Sequence, residues 1–216
     1  MILDLHVHTR YSGDSSIDPA VLYKVAKLRG LDGIAVTDHD TTRGWEHFPK
    51  IDDFEVILGM EKKTEYGSII GLFMNEGLET TNFEEVIDEI KDQDGVVVIP
   101  HPFDSLRRDT LKVDSIDERV LRAKVDAIEV FNSRCILNRF NEKAEILARD
   151  LMKHKVGGSD AHTLGEVGNA HTTFECDSKD EIHGLLKKNG PIANVVQGRL
   201  SSRLVHVATF LHKLWN

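Results

Sequence analysis

The sequence predicts an α/β barrel, and three observations lead to this fold class. The chain has 216 residues, and α/β barrels commonly run to about 200–250 residues. Short apolar runs rich in β-forming residues alternate with stretches of helical spacing. Either a distorted (β/α) barrel or a doubly wound sheet fits that alternation. Polar residues gather where each run stops, and this favours the barrel, because a closed parallel barrel brings all strand ends to one face.

Seven apolar runs have the lengths of buried strands. They are Ile2–Leu5, Gly33–Val36, Glu55–Leu58, Ile69–Phe73, Val96–Ile99, Ala127–Phe131 and Lys155–Gly157. A further strand is possible in the segment HTTFE, which begins at His171.

Helices are predicted where apolar residues return every three or four positions. Pro19–Leu28, Phe83–Ile90 and Glu142–His154 show this spacing between strands. The tail, from about residue 200 to 215, shows it as well. We expect that tail helix to pack on the barrel exterior within one domain of residues 1–216, in preference to binding a membrane or a partner.

Composition excludes some classes of function. A net charge of −9 argues against extended duplex nucleic-acid binding, which depends on neutralising phosphates with a broad basic face. A small anionic substrate stays open, since bound cations can reverse the local field. Cys135 and Cys176 form no CxxC motif. With no signal-peptide pattern and no long apolar run, the expected location is cytoplasmic, without membrane contact.

Potential metal ligands follow most of the predicted strands. His6 and His8 follow the first strand, Asp38 and His39 the second, Glu61 the third, His101 the fifth, Asn132 the sixth, and Asp160 and His162 the seventh. Imidazole and carboxylate together suit zinc, manganese or iron. The alternative is that each residue has a private hydrogen-bond partner, and the repetition at successive strand ends argues against it.

Five motifs, in order along roughly three quarters of the chain, carry a resemblance to a known family. DLHVHTRYSGDS, GLDGIAVTDHD, VIPHPFD, IEVFNSR and GGSDAHT resemble the successive signatures of the PHP (polymerase and histidinol phosphatase) domains. The resemblance implies a distorted (β/α)7 barrel. It also implies two to three divalent metals (Mn, Zn or Fe) at the carboxyl face of the barrel, and hydrolysis of phosphate esters by water activated between the metals.

The resemblance also implies three sets of metal ligands. The first comprises His6, His8, Glu61 and Asp160, the second comprises Asp14, His39 and His162, and the third comprises Glu61 and His101. Asp14 could instead cap a loop or helix in SGDSS. In the third set, Ser68 stands where the family commonly has a histidine, so this site should be the weakest. The alternative is that Glu65 replaces that histidine.

Phosphate binding should need guanidinium groups near the metals. Arg134, Arg107 and Arg108 follow strand ends, and with Asn132 they are the predicted substrate-binding residues. Arg134, His39, His162 and Asp160 are the predicted catalytic residues.

The predicted function is that of a phosphoesterase acting on a small phosphorylated metabolite, a nucleotide or a short RNA end. Two alternatives remain, a non-catalytic metal-stabilised module that docks on a partner and a hydrolase of another bond, such as an amide.

Overall fold

The computed structural model describes residues 1–107, 109–192 and 194–201. Nine strands are present in this part of the chain. They are β1 (Ile2–Val7), β2 (Gly33–Val36), β3 (Glu55–Thr64), β4 (Gly67–Leu72), β5 (Val96–Ile99), β6 (Ala127–Asn132), β7 (His154–Gly158), β8 (Ala170–Phe174) and β9 (Asn194–Gly198).

Six α-helices lie among the described residues. They are α1 (Pro19–Leu28), α2 (Arg43–Glu46), α3 (Phe83–Asp92), α4 (Glu118–Lys124), α5 (Arg139–Asp150) and α6 (Lys179–Leu186). Side-chain caps fix several of their starts: Asp18 accepts a hydrogen bond from Ala20 N at the start of α1, and Asn82 accepts from Glu84 N at the start of α3.

The strands form one sheet in the order β7-β6-β5-β4-β3-β2-β1-β8-β9. The pairs β1–β2, β2–β3, β5–β6 and β6–β7 are parallel, as expected. Strand β4, however, runs antiparallel to both β3 and β5. The alternation of strand and helix fails here because Glu65 and Tyr66 form a two-residue hairpin turn, which joins antiparallel strands without a helix.

The sheet curls until β7 meets β1, which nearly closes a barrel. Asp160 N–H donates to His6 O at 2.7 Å, and His8 N–H donates to Ala161 O at 3.0 Å, just beyond the end of β7. Strands β8 and β9 extend the sheet antiparallel beyond β1. This closure confirms the predicted distorted barrel and not the doubly wound alternative.

Apolar residues fill the barrel and attach the helices to it. All seven strands β1–β7 contribute to the inner cluster, with side chains such as Leu5, Ile57 and Val98, and α6 adds Ile182 and Leu186. A second cluster packs α3 and α5 against the outer face, with Ile87 as a central member. Burial of this apolar surface holds the strand ends in place at the rim.

Two helix predictions differ from the structure or fall outside it. Helix α5 ends at Asp150, earlier than predicted, because Met152 adopts a left-handed backbone (φ +53°), and His154 already opens β7. Leu200 and Ser201 are not helical, and the rest of the predicted tail helix lies outside the described residues. No helix in the described ranges is long and apolar enough to cross a membrane.

Candidate metal centre

The predicted ligands converge at the carboxyl rim of the barrel. His6 belongs to β1 and His8 follows it, and a register irregularity between Asp4 and Val7 bends this end of the strand. The Nε2 atoms of His6 and His8 lie 3.0 Å apart. Glu61 lies within β3, not after it as predicted, because β3 continues to Thr64. Closed barrel geometry thus brings together side chains that are far apart in sequence.

Glu61 is at the centre of the cluster. Its Oε2 atom lies 3.1 Å from His6 Nε2, 3.2 Å from His8 Nε2 and 3.3 Å from His39 Nδ1. Its other oxygen, Oε1, lies 3.3 Å from His101 Nε2. One carboxylate therefore faces four imidazoles and can bridge two cations.

Two further carboxylates complete the arrangement. Asp160 Oδ1 lies 3.3 Å from His8 Nε2 and 3.5 Å from His162 Nδ1. Asp14 places Oδ1 3.4 Å from His162 Nε2 and Oδ2 3.5 Å from His39 Nε2. Asp14 thus lies among the ligands, and α1 is capped by Asp18 instead.

Three groups of donors are close enough to hold an ion. They are His6, His8 and Glu61; His8, His39 and His162; and His6, His101 and Asp160. In each group one donor atom per residue lies within 4.8 Å of the others. The structure brings all eight predicted ligands together, while the division into three separate sets stays a prediction.

Buried atoms without partners show that the cluster fits divalent cations. Glu61 Oε1 and both ring nitrogens of His101 are buried and have no hydrogen-bond partner among the described residues. Leaving such groups unpaired costs about 1–3 kcal/mol each. A cation bound between them would offset that cost, and nitrogen and oxygen donors without thiolate suit manganese, zinc or iron.

The pKa values show that the carboxylates and imidazoles of the site are strongly coupled. Burial would raise the pKa of Glu61, but the surrounding His39, His101 and His6 outweigh it and hold that pKa well below the usual range. Burial lowers the pKa of His39, but Glu61 and Asp14 outweigh it and raise it to about 9. The carboxylates are therefore ionised and draw positive charge to the imidazoles.

His162 has the opposite shift. Burial and the neighbouring His8 lower the pKa of His162 to about 3. Its Nδ1 atom lies 2.8 Å from the carbonyl oxygen of Asp160 and donates to it. A neutral ring with the proton on Nδ1 leaves the Nε2 lone pair available to a metal.

Two ligands adopt backbone conformations that are unusual for residues other than glycine. His101 has φ +28° and Asp160 has φ +54°. Such residues each cost on the order of 1–3 kcal/mol and persist only where their surroundings hold them. Hydrogen bonds do so here: His101 N–H donates to Glu129 Oε2 at 2.8 Å, and Asp160 N–H donates to His6 O.

Glu129 and Ser12 support the ligands, and neither was among the predicted site residues. Glu129 Oε1 accepts from His6 Nδ1 at 2.9 Å. Ser12 Oγ lies 2.9 Å from His8 Nδ1 and accepts from His39 N–H at 2.8 Å. For Glu129 the sequence does hold a signal, a single carboxylate within the otherwise apolar run Ala127–Phe131. Such second-layer contacts orient metal-binding histidines.

The predicted arginines have different surroundings. The guanidinium of Arg107 donates to Asp104 and Asp160, and to Asn132 Oδ1 at 3.3 Å. Arg134 is nearly buried, yet its guanidinium has no hydrogen bond to any described residue, and Glu166 Oε1 lies 3.6 Å from Nη1. Arg107 therefore orients Asp160, whereas Arg134 has Glu166 as its acidic neighbour and donates no hydrogen bond to a described residue.

Both the oxygen and the nitrogen of the Asn132 side-chain amide form hydrogen bonds. Its Oδ1 accepts from Arg134 N–H at 2.9 Å, and its Nδ2 donates to Glu129 and to Asp160. The predicted contacts of Asn132 and Arg107 with substrate stay predictions. Arg108, predicted in the same role, lies outside the described residues.

The alternative ligand Glu65 and the first residue of the segment HTTFE both lie outside the cluster. Glu65 Oε2 accepts a hydrogen bond from Phe83 N–H at the start of α3, so the structure uses Glu65 elsewhere and does not place it as the missing ligand. His171 is in β8 and pairs with Gln197.

With this geometry established, comparison with known proteins identifies the family. The model of the PHP domain matches residues 4–97, and a PHP-associated model matches residues 138–189. An uncharacterized protein of Methanocaldococcus jannaschii is 37% identical over 147 residues, which cover 62% of this chain and 82% of the relative. The chain belongs to the PHP domain family.

Solved structures have the same fold as this PHP protein. A two-domain protein from Bacteroides vulgatus, described as containing a predicted PHP-like metal-dependent phosphoesterase, aligns with a TM-score of 0.71 and 22% identity, covering 99% of this chain and 69% of that one. An amidohydrolase from Chromobacterium violaceum, with bound sulfate and no metal, aligns with a TM-score of 0.63 and 17% identity over 85% of this chain and 96% of that one.

Proposed function

We propose that this PHP protein is a metal-dependent phosphoesterase that hydrolyses a phosphate monoester or a nucleotide phosphate. The observation that carries the proposal is the Arg134 guanidinium, which has no hydrogen-bond acceptor among the described residues and lies close enough to His162 to lower its pKa. A guanidinium in such a place suits a phosphoryl group, because its N–H groups match two phosphate oxygens.

The ligand residues would hold the cations at the rim. His6, His8, Glu61, Asp160, Asp14, His39, His162 and His101 supply the donors. When bound, divalent cations would supply Lewis acidity, lowering the pKa of water and neutralising charge on phosphoryl oxygens. Arg134 would bind the equatorial oxygens, where negative charge develops during in-line attack. Arg107 would hold Asp160 in place through the hydrogen bond to its Oδ2 atom.

His39 is the ligand nearest to solvent. Its side chain is 26% exposed, whereas those of His6, His8 and Glu61 are at most 1% exposed. The open side of the cluster therefore lies beside His39, and we place the entry of the substrate there.

The proposal is supported by the relatives in one further respect. The Chromobacterium violaceum structure contains sulfate, a tetrahedral oxyanion of phosphate-like shape. That protein is called an amidohydrolase, which makes amide hydrolysis the second candidate function. Both reactions use metal-activated water, and the Arg134 guanidinium, which forms no hydrogen bond to a described residue, favours the phosphate ester.

Hydrolysis assays separate the candidate functions. The full chain, loaded with Mn²⁺ or Zn²⁺, should release phosphate from an aryl phosphate, and a matched aryl amide should not react. His6→Ala and Asp160→Ala should abolish the activity. A panel of phosphorylated metabolites, nucleotides and short 3′- or 5′-phosphorylated RNAs then identifies the substrate. Stable metal binding without hydrolysis of any compound would instead indicate the non-catalytic module.

A further inference from the structure

A cavity lies next to the loop that follows the candidate ligand His101. It has a volume of about 550 Å³ and is lined by Pro102 and Phe103, from the loop after β5, and by Arg139, Phe140 and Lys143, from α5. Both segments follow the carboxyl ends of the neighbouring parallel strands β5 and β6. The cavity is therefore at the same end of the barrel as the cluster, and Pro102 directly follows the ligand His101.

The two cations of this cavity have no acidic partner in the part of the chain that the structure describes. Neither Arg139 nor Lys143 forms an ion pair with any described residue. Instead, the Arg139 guanidinium lies 5.3 Å from the ring centroid of Phe140, and Lys143 Nζ lies 5.9 Å from that of Phe103. Elsewhere on the same helix cations are paired, as Arg149 is with Asp150.

This arrangement is unfavourable for an isolated helix. Arg139 and Lys143 are four residues apart, so they are neighbours on one face, and like charges at this spacing destabilise a helix by about 0.2–0.5 kcal/mol. Arg139 also opens α5, where the helix dipole favours negative charge, and Glu142 of the same turn pairs with Asn138 and not with Arg139. The chain has 36 acidic and 27 basic residues, so an acidic partner would be readily available. Two neighbouring cations without an ion pair, at a place where a local rule is broken, indicate a candidate binding site.

We propose that this cavity is a second anion site, which binds a carboxylate or phosphate on the part of the substrate that lies away from the scissile phosphate. The inference rests on the proposed function and narrows the substrate class to phosphate esters that carry a second anionic group. Arg139 and Lys143 bind that group, and Phe103 contacts the apolar portion that joins the two anions.

Binding of non-hydrolysable probes tests the site. The Mn²⁺-loaded full chain is titrated by calorimetry with alkylphosphonates, with ω-phosphonoalkanoates and with α,ω-bisphosphonates, each in a series of increasing chain length. At the length that spans both sites, the dianionic probes should bind at least about tenfold more tightly than the matched alkylphosphonate. The carboxylate and bisphosphonate series show which second group is preferred.

Variants identify the residues responsible. In Arg139→Gln/Lys143→Gln the preference for dianionic probes should disappear, whereas Arg149→Gln/Lys155→Gln, which removes the same two charges elsewhere, should keep it. The proposal of a second anion site is contradicted if the wild type shows no preference for dianionic probes at any chain length, or if Arg139→Gln/Lys143→Gln keeps that preference. Hydrolysis of an aryl phosphate is measured in parallel. If the aryl phosphate is hydrolysed but the preference is absent, only the second site is contradicted. If the chain neither binds the phosphonates nor hydrolyses the aryl phosphate, the proposed function is contradicted as well.

Discussion

The Nδ1 atom of His6 lies 2.9 Å from Oε1 of Glu129, a buried carboxylate that supports several ligands at once. Its other oxygen accepts from the backbone N–H of His101 at 2.8 Å and from Asn132 Nδ2 at 2.9 Å. Because Glu129 accepts a hydrogen bond from His6 Nδ1, the proton stays on Nδ1 and the lone pair of His6 Nε2 faces the metal centre. Glu129 therefore connects two of the predicted ligand sets.

Glu129→Gln should weaken metal binding at both sets by about 10–100-fold. The amide has one accepting oxygen, so its NH2 group must face either the donor of His6 or the donors of His101 and Asn132. Mn²⁺ titration measures the effect. Asp126→Asn, directly before the start of β6, where Asp126 accepts from Val97 N–H, should bind metal normally. Equal losses in both variants would indicate general destabilisation instead.

The two arginines of the site should respond differently to truncation. Arg134→Ala should lower kcat for a phosphate ester by about 10²–10³-fold with metal content retained, because a guanidinium binds phosphoryl oxygens and cannot ligate a metal. Arg107→Ala should reduce metal content, because Arg107 holds Asp160 Oδ2. Phosphate release and elemental analysis on the same samples separate the two effects. Activity of Arg134→Ala within about twofold of wild type would place the phosphate contact elsewhere.

Much of this site could be predicted from the sequence because ligands and strand ends coincide. A short apolar run ends at or just before each of His6, His39, His101 and Asp160. Closure of the barrel then brings these side chains together. Glu61 was identified although its strand was predicted too short. The direction of β4 could not be read in the same way, because β3 was predicted to end at Leu58 and not at Thr64, which hid the two-residue turn between the strands.

The roles of the arginines depend on contacts that no spacing specifies. Arg107 and Arg134 both follow strand ends, yet Arg107 donates hydrogen bonds to the carboxylates of Asp104 and Asp160, whereas Arg134 has only the ion pair with Glu166 at 3.6 Å among the described residues. Which side chain meets which partner is decided by loop conformation, including the left-handed backbone of Asp160. Sequence patterns do not resolve contacts at that level.

Metal loading should stabilise the chain. Protein saturated with Mn²⁺ should bind at least about two ions per chain, because the interleaved donor groups hold more than one cation at once. At a free Mn²⁺ concentration of about 100–1,000 times Kd, binding should stabilise the folded chain by about 2.7–4.1 kcal/mol. Chelation removes this stabilisation and should therefore lower Tm by about 5–15 °C. Differential scanning calorimetry with and without EDTA measures this shift. The double variant His6→Ala/Asp160→Ala should show almost no response to EDTA, and a full response there would place the stabilising ions at another site.

Ser68 should limit the affinity of the ion shared by Glu61 and His101. In the β3–β4 hairpin Ser68 pairs with Lys63 and Ile70 pairs with Glu61, so Ser68 and Glu61 point to the same face of the sheet. Ser68 is also buried. A histidine at this position would face the cluster, and imidazole is a stronger ligand for manganese or zinc than a neutral hydroxyl.

Ser68→His should therefore tighten one class of metal site by about tenfold or more, the change that 1.4 kcal/mol produces. Mn²⁺ titration of the wild type should show one weak class of site that this variant strengthens while the other classes keep their affinity. Ser68→Phe, which adds a ring of similar shape without nitrogen, is the matched control and should not tighten any site. His101→Ala should remove the gain, because the new imidazole needs His101 and Glu61 as co-ligands. Identical titration curves for wild type and Ser68→His, with every site already strong, would show that the serine leaves no deficiency at this position.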